Sequence, residues 1–421
     1  MRILFFADNF PPEKNAQASR VYERARYWAR WGHSVVVITC APNFPEGRVY
    51  PGYQNRWRHT EILDGIRVVR VKSYITANSG TLRRMLDYLS FLPAAFCAGL
   101  FEEADVVAAT SPQMFAALAG AMAAFCLRRN FLLEISDLWP ESILAVGAMN
   151  RTNLVIRGLE LLARFLYWRA DRIVVLTDSF RRKLISTGIP EAKIDTVLNG
   201  VDLERYKPQP RDEDLARFYG IAAGDFVVGY IGTLGMAHGL DNVLHAVKKL
   251  SGTQVRFLLV GPGADRERLL ELAQQQQLEN VVIVPPQPKE QMPRYWSLCN
   301  VALVHLKDTA LFKTVIPSKI FEAMGMGLPI LLAAPDGEAS RIVLDERVGW
   351  HVPPGDANAL AAAIETLAAQ REKVSETAAR SARAAANHSR ECQARLFEAS
   401  LDNVAQGSPA LPRDEGRVVE W

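Results

Sequence analysis

The sequence predicts an α/β protein built from two doubly wound, Rossmann-like domains. Three observations carry that expectation. Short apolar runs of strand length alternate with helix-length segments, the pattern of a parallel sheet. The alternation stops at a polar segment, 203–213, that contains Pro208 and Pro210, and starts again at 226, as at a hinge between domains. The 421 residues are long for one core and comfortable for two.

Composition narrows the class. Apolar residues make up 49% and charged residues 23%, the balance of an ordinary globular protein. A net charge of +3 gives no argument for nucleic acid. The five cysteines (40, 97, 126, 299, 392) form no Cys-x-x-Cys pair, which points to reduced thiols and a cytoplasmic setting. The histidines show no ligand spacing and no Asp-x-Asp of the metal-binding type is found, so neither a metal nor another cofactor is expected. Residues 3–6 are too short for a signal core. The charge-free run 88–101 is broken by Ser90 and Pro93 and is too short to span a bilayer.

The first strand, 3–7, ends in Asp8-Asn9-Phe10-Pro11-Pro12, and a helix at about 19–31 and a strand at 35–39 follow. Parallel sheets bind ligands beyond the carboxyl ends of their strands. The loop 8–20 is therefore an early site candidate, with Asn15, Ser19 and Arg20 as its polar groups. Ser19 reads equally well as a helix cap. Residues 42–60, rich in Pro, Gly, Tyr and Arg, read as a long loop, either functional or a solvated surface. Segments 81–101 and 151–169 set arginines (83, 84; 151, 157, 164, 169) into apolar, aromatic bodies. Such helices can lie on an anionic membrane; core helices whose arginines reach to water are the other reading. A strand at 105–109, a small-residue helix near 113–127 and a strand at 131–135 come between them. The last ends in Glu134-Ile135-Ser136-Asp137-Leu138-Trp139-Pro140-Glu141. A carboxylate here, Asp137 or Glu141, could order a substrate hydroxyl and take its proton; Asp137 also reads as a helix cap. Strands at 172–177 and 194–198 lead to the turn Asn199-Gly200-Val201-Asp202.

In the second half, a strand at 226–231 ends in Gly232-Thr233-Leu234-Gly235-Met236-Ala237-His238-Gly239, with a helix from Leu240. Gly232 and Gly235 would let backbone N–H groups approach a phosphate. Neither a dinucleotide nor a P-loop fingerprint is met. Strands at 255–263, 281–284 and 300–306 precede the most informative stretch, 313–338. There Lys313, Thr314, Pro317, Ser318 and Lys319 open a short apolar helix, with Pro317 expected at its first position and Glu322 in its first turn. A Gly-Leu-Pro turn at 327–329, a strand at 330–333 and Glu338 follow. Free N–H groups at such a helix start, beside Ser318 and Lys319, form an anion site. Glu322 can accept from two sugar hydroxyls. A phosphate and a diol on one turn describe a nucleotide or nucleotide sugar; a plain helix whose Glu322 answers the dipole and Lys319 is the alternative. Helices from about 357 and over 372–403 and a polar tail at 405–421 complete the chain.

Residues 199–202 and 317–338 resemble the signatures of family four of the retaining glycosyltransferases, which have the two-domain GT-B fold. The resemblance runs from the first strand to about residue 356. It implies two Rossmann-like domains facing a central cleft. An acceptor-binding domain would occupy 1–205, completed by a late helix at about 390–403, and a nucleotide-sugar-binding domain would occupy 206–389. The form Pro-Ser-Lys-Ile-Phe-Glu-Ala-Met is similar to a subgroup that builds bacterial surface polysaccharides, N-acetylated amino-sugar transferases among them. That implies a UDP-sugar donor, a lipid-linked saccharide acceptor and a place on the inner face of the cell membrane. Glu322 matches the glutamate that binds the donor ribose. The family's first glutamate is Thr314 here, its glycine-rich loop lacks glycine at 13–20, and its basic pair after Gly232 is reduced to His238. Diphosphate binding thereby passes to Lys319, with Lys313. The expected chemistry is front-face transfer, with the leaving diphosphate stabilised by a helix start and cations rather than a metal. A non-hydrolysing nucleotide-sugar epimerase and a non-catalytic partner subunit with a nucleotide cleft are the other readings.

Overall fold

The computed structural model describes residues 1–76, 81–139 and 154–407, so Glu141, Arg151 and residues 408–421 of the expected tail lie outside the described residues, while 405 and 406 belong to the last helix. The chain forms two units, one of residues 1–198 with those from 393 onward, the other of 199–392.

The first unit runs β1 (Arg2–Phe6), α1 (Ala16–Arg30), β2 (Ser34–Cys40), β3 (Arg58–Leu63), β4 (Ile66–Val71), α2 (Thr81–Leu100), β5 (Val106–Ser111), α3 (Met114–Cys126), β6 (Phe131–Ile135), α4 (Leu154–Arg169), β7 (Arg172–Val175), α5 (Asp178–Ser186) and β8 (Ile194–Thr196). The sheet order is β3-β4-β2-β1-β5-β6-β7-β8, parallel except for the β3–β4 pair. Strands β5 and β6 are buried along their whole length, as expected where helices cover both faces. One face packs Phe91, Ala95, Ala117 and Leu159 of α2, α3 and α4. The other packs Val21 and Trp28 of α1 against Phe397 and Leu401 of the last helix.

The second unit runs α6 (Glu213–Phe218), β9 (Phe226–Ile231), α7 (Leu240–Lys249), β10 (Val255–Val260), α8 (Arg266–Gln275), β11 (Val281–Val284), α9 (Met292–Trp296), β12 (Val301–His305), α10 (Ser318–Gly325), β13 (Ile330–Ala333), α11 (Glu338–Asp345), β14 (Gly349–Val352), α12 (Ala357–Ala369) and α13 (Arg371–Ala384). Its sheet is parallel throughout, in the order β11-β10-β9-β12-β13-β14. The final helix, α14 (Arg390–Gln406), begins at the end of this unit and belongs to the first from Gln393.

Four expectations change. The loop expected at 42–60 gives way at 58 to a hairpin over 58–71, to which the sequence assigns no element: Asp64 and Gly65 both have positive φ (48° and 82°), the signature of a tight two-residue turn. The cap of α1 is Asn15, whose side chain accepts from Ala18 N at 2.8 Å; Ser19 sits inside the helix. The span 372–403 is two helices. Ser389 between them is extended and bridges to Val201, with Val201 N donating to His388 O and Arg390 N to Val201 O. The same ladder holds residues 199–205 in the second unit rather than the first.

Candidate functional site

Each unit gathers polar groups at the carboxyl ends of its strands. In the second unit the construction starts from two glycines. Gly232 leaves β9 at φ +141° and Gly261 leaves β10 at φ +145°, a region that L side chains rarely adopt. A Cβ on Gly261 would stand 2.1 Å from Gly232 O, so the two strand ends meet backbone to backbone. A Cβ on Gly232 would stand 3.1 Å from Lys319 Nζ, so the ammonium lies directly over this bare backbone. Gly235 is different. Its backbone is extended (φ −112°, ψ 158°) and a Cβ there would meet only ordinary contacts at 3.5 Å, so nothing local requires glycine.

Lys319 is buried, and its Nζ stands 3.5 Å from the centroid of the Tyr230 ring. The same nitrogen has no hydrogen-bond partner among the described residues. Burial pulls its pKa down to about 7, against the attraction of Glu322. A buried ammonium with all three donors open is an anion site in waiting. Beside it, burial first and Lys319 second hold His238 at about 4, so this imidazole is neutral near pH 7. Its Nδ1 has no partner among the described residues. Its carbonyl accepts from His305 Nδ1–H at 2.6 Å, and His305 Nε2 accepts from Asn242 at 3.0 Å. That chain locks the loop after Gly235.

Glu322 lies one turn beyond Lys319, partly buried. Burial raises its pKa, while Lys289, Arg390 and Lys319 pull it back, and it accepts a hydrogen bond from the Tyr206 hydroxyl. Pro317 is the N-cap of α10 rather than its first residue, so Glu322 opens the second turn. No side chain caps this helix; Ile320 N donates to Pro317 O at 3.0 Å, and the N–H groups of Ser318 and Lys319 before it have no carbonyl a turn back within the helix.

The outer candidates divide. Lys313 is exposed, in a short turn with Thr314, whose hydroxyl donates to Leu311 O at 2.8 Å. This turn packs against the start of α11: a Cβ on Gly337 would stand 2.2 Å from Lys313 O. Glu338 is buried there, 3.5 Å from Arg341.

In the first unit a polar pocket of about 380 Å³ lies at the ends of β1, β2, β5 and β6, and its lining includes Asp8, Asn15, Arg20, Gln113, Asp137 and Trp139. Burial lifts Asp8 to about 6, although Gln17 donates to it at 2.8 Å. Arg20 is less free than the sequence suggests. Its Nε donates to the fully buried Glu134 at 3.1 Å, and Arg24 binds the same oxygen. Burial pushes Glu134 up, but the two arginines overcome it and hold the carboxylate below its usual range. The outer Nη2 of Arg20 has no partner among the described residues. Asn15 is committed to its cap and to Asn9, so its remaining role is to shape the pocket. Sequence reasoning missed Asp8, Tyr230 and Gly261. Asp8 was open to discovery as the first polar residue after β1; Tyr230, inside a buried strand, gave no signal.

Residues 212–387 match the family described as glycosyl transferases group 1, and residues 15–200 match the glycosyl transferase 4-like domain. The chain is 25% identical over 335 residues to the putative colanic acid biosynthesis glycosyl transferase WcaI of Escherichia coli, covering 78% of this chain and 82% of that protein. It is 27% identical over 246 residues to the probable glycosyltransferase WbjE of Pseudomonas aeruginosa, covering 58% and 61%. Among solved structures, sucrose-phosphate synthase from Thermosynechococcus elongatus superposes with a TM-score of 0.72 at 18% identity, covering 97% of this chain and 100% of the other. Anabaena Alr3699/HepE in complex with UDP gives 0.70 at 19%, covering 96% and 100%. At these identities the structures establish the fold.

Proposed function

We propose that this chain, a group 1 glycosyltransferase of the GT-B fold, moves a sugar from a UDP-linked donor to a lipid-linked saccharide during synthesis of a bacterial surface polysaccharide. The observation that carries the reading is Lys319: a buried ammonium with open donors, over Tyr230 and the bare backbone of Gly232, one turn before Glu322. The diphosphate binds the ammonium and the open N–H groups at the start of α10. Glu322 accepts from the ribose hydroxyls, held in place by Tyr206. Lys313 and Glu338, joined through the contact at Gly337, belong to the rim on the sugar side. The polar pocket of the first unit takes the acceptor saccharide, with Asp137 and Asp8 as hydroxyl acceptors.

Transfer proceeds with retention at a single face. The bond from the anomeric carbon to the diphosphate oxygen breaks as the bond to the acceptor oxygen forms. The acceptor proton passes to the departing oxygen. Lys319 and the helix start absorb the charge that develops there, so the chemistry asks for no metal. The names of the curated relatives support polysaccharide synthesis, and the UDP complex of HepE supports the donor nucleotide. An N-acetylated amino sugar as donor rests on the Pro-Ser-Lys-Ile-Phe-Glu-Ala-Met form of α10. The two curated relatives described above carry glycosyltransferase names, which favours transfer over epimerisation or a silent partner role.

Among the described residues no helix is long and apolar enough to cross a membrane. On α4, Leu161 and Trp168 are exposed beside the exposed Arg157 and Arg164, a surface suited to peripheral contact with an anionic bilayer. The test of the function is calorimetric titration with UDP, followed by radiolabelled UDP-sugars and lipid extract. UDP binding and label in the lipid fraction are expected. Failure of every nucleoside diphosphate to bind would overturn the reading.

A further inference from the structure

The sheet of the first unit ends on β3, which pairs with β4 alone. Along it Arg58, His59, Thr60 and Ile62 are exposed. The hairpin fixes which backbone groups stand open at that edge. A two-residue turn makes its flanking pair, Leu63 and Ile66, a hydrogen-bonded one, and the two kinds of pair alternate from there. Leu63, Glu61 and His59 therefore turn their N–H and C=O groups toward β4. Ile62, Thr60 and Arg58 turn theirs outward, as an unpaired row at the end of the sheet.

An open edge invites any extended chain, and scattered charges normally blunt it. The charges of β3 are not scattered. Arg56, Arg58 and His59 come before Thr60, and Glu61 and Asp64 come after it. A strand with basic residues first and acidic residues last is complementary to its own copy run backwards. In an antiparallel pair of copies with a two-fold axis at Thr60, the open groups of Thr60 meet those of the partner's Thr60. Those of Arg58 meet those of the partner's Ile62, so every outward residue faces another outward residue. His59 then stands opposite the partner's Glu61, and Glu61 opposite the partner's His59, an attractive cross-strand pair made twice. Arg70 holds Glu61 in place, with Nε donating to it at 2.7 Å. An axis one residue away sets His59 or Glu61 against itself. An axis two residues away leaves Glu61 with no basic residue opposite. A shift of half a residue sets outward groups against inward ones. Hydrogen bonding and charge thus select the same register, and an unrelated strand has no such match.

The other face of the strand adds apolar contact. Arg58 Nη2 donates to the buried Glu102 at 2.6 Å, which leaves the arginine stem free to pack. Arg58 lines a hollow with Trp57 and Phe101, which are 76% and 77% exposed. The residue that the register brings over Arg58 is the partner's Ile62, and Ile62 is 69% exposed in the single chain. Large apolar groups left in water on one copy therefore meet their counterparts on the other.

We propose that two copies of this chain pair antiparallel through β3, about a two-fold axis at Thr60, and join their eight-stranded sheets into one. A six-residue edge is small for an interface, so the dissociation constant should be on the order of 10 µM.

The test is sedimentation of the full chain from about 1 to 100 µM, where a monomer–dimer equilibrium is expected. Thr60→Pro should be monomeric. The Thr60 N–H points outward, so proline spares the β3–β4 ladder and removes the bonds at the axis. His59→Glu, at an exposed position, should weaken the dimer about 2- to 30-fold, and His59→Lys should tighten it. The register is read by mild oxidation. Thr60→Cys should cross-link to its own copy, because an antiparallel hydrogen-bonded pair holds its Cα atoms about 5.5 Å apart. Arg58→Cys, about 14 Å from its own copy, should not. A single monomeric species up to about 100 µM overturns the proposal. A dimer that both Thr60→Pro and His59→Glu leave intact overturns it too, as does a dimer in which Arg58→Cys cross-links and Thr60→Cys does not.

Discussion

Removing the Lys319 ammonium while keeping its hydrocarbon, as in Lys319→Met, tests the donor site through a proton. In the free protein burial holds this lysine near 7, whereas an unfolded chain would hold it near 10.5. A diphosphate beside it favours the charged form and raises that value again. UDP is fully ionised above pH 7, and His238, near 4, stays neutral, so neither group titrates with it. Above pH 7 UDP binding must therefore drag a proton onto Lys319. Affinity should fall as pH rises, approaching about tenfold per pH unit until the bound-state value is reached. At pH 8, titrations in two buffers of different ionisation enthalpy should report close to one proton taken up per UDP. Lys319→Met should take up none, lose the pH slope, and bind UDP about 10- to 100-fold more weakly at pH 7, the worth of a charge-assisted hydrogen bond of about 1.5–3 kcal/mol. The sign for folding is the opposite. The folded state resists the proton, so wild-type stability should gain on that of Lys319→Met as pH climbs from 7 toward 10, by at most about 5 kcal/mol. Equal UDP affinity at pH 7 and pH 9, or the same slope in Lys319→Met, would refute this account of the site.

Three further outcomes follow from the geometry. Glu322→Ala should raise the donor KM about tenfold or more, with Glu322→Gln intermediate because one acceptor oxygen survives; steady-state kinetics over a UDP-sugar series reads this. Gly261→Ala should lower stability by several kcal/mol and abolish UDP binding, because its Cβ would fall 2.1 Å from Gly232 O, while Gly235→Ala should melt within a degree or two of wild type. Transfer should persist in EDTA, since Lys319 and the start of α10 take the leaving-group charge; activity lost to EDTA and restored by a divalent cation would contradict the mechanism.

The fold was legible because burial dictated the sequence. Strands such as β9 and β13 are buried at every position and read as runs without a charge, and the helices between the strands carry ordinary amphipathic spacing. The hairpin at 58–71 was missed although Asp64-Gly65 announces it, because β3 is an exposed edge strand whose polar residues look like loop. The break at Ser389 has no local signal at all; pairing with Val201, far away in the chain, overrides helical propensity there. The site shows the same division. Lys319 and Glu322 stand out because a helix start, a cation and a carboxylate fall within five residues, 318–322. The groups that tune them do not. Tyr230 looks like any residue of a buried strand, and the need for glycine at 261 arises only when two strand ends meet. Arg20 looked available until the fold brought Glu134 to it.

The central claim is that Lys319 and Glu322 hold opposite ends of one nucleotide. The direct measurement is a crystal structure of the protein with UDP bound. It should show Lys319 Nζ within hydrogen-bond distance of the diphosphate, above Gly232, and Glu322 accepting from both ribose hydroxyls. UDP seated away from α10, with Lys319 still packed on Tyr230 and free of phosphate, would contradict it.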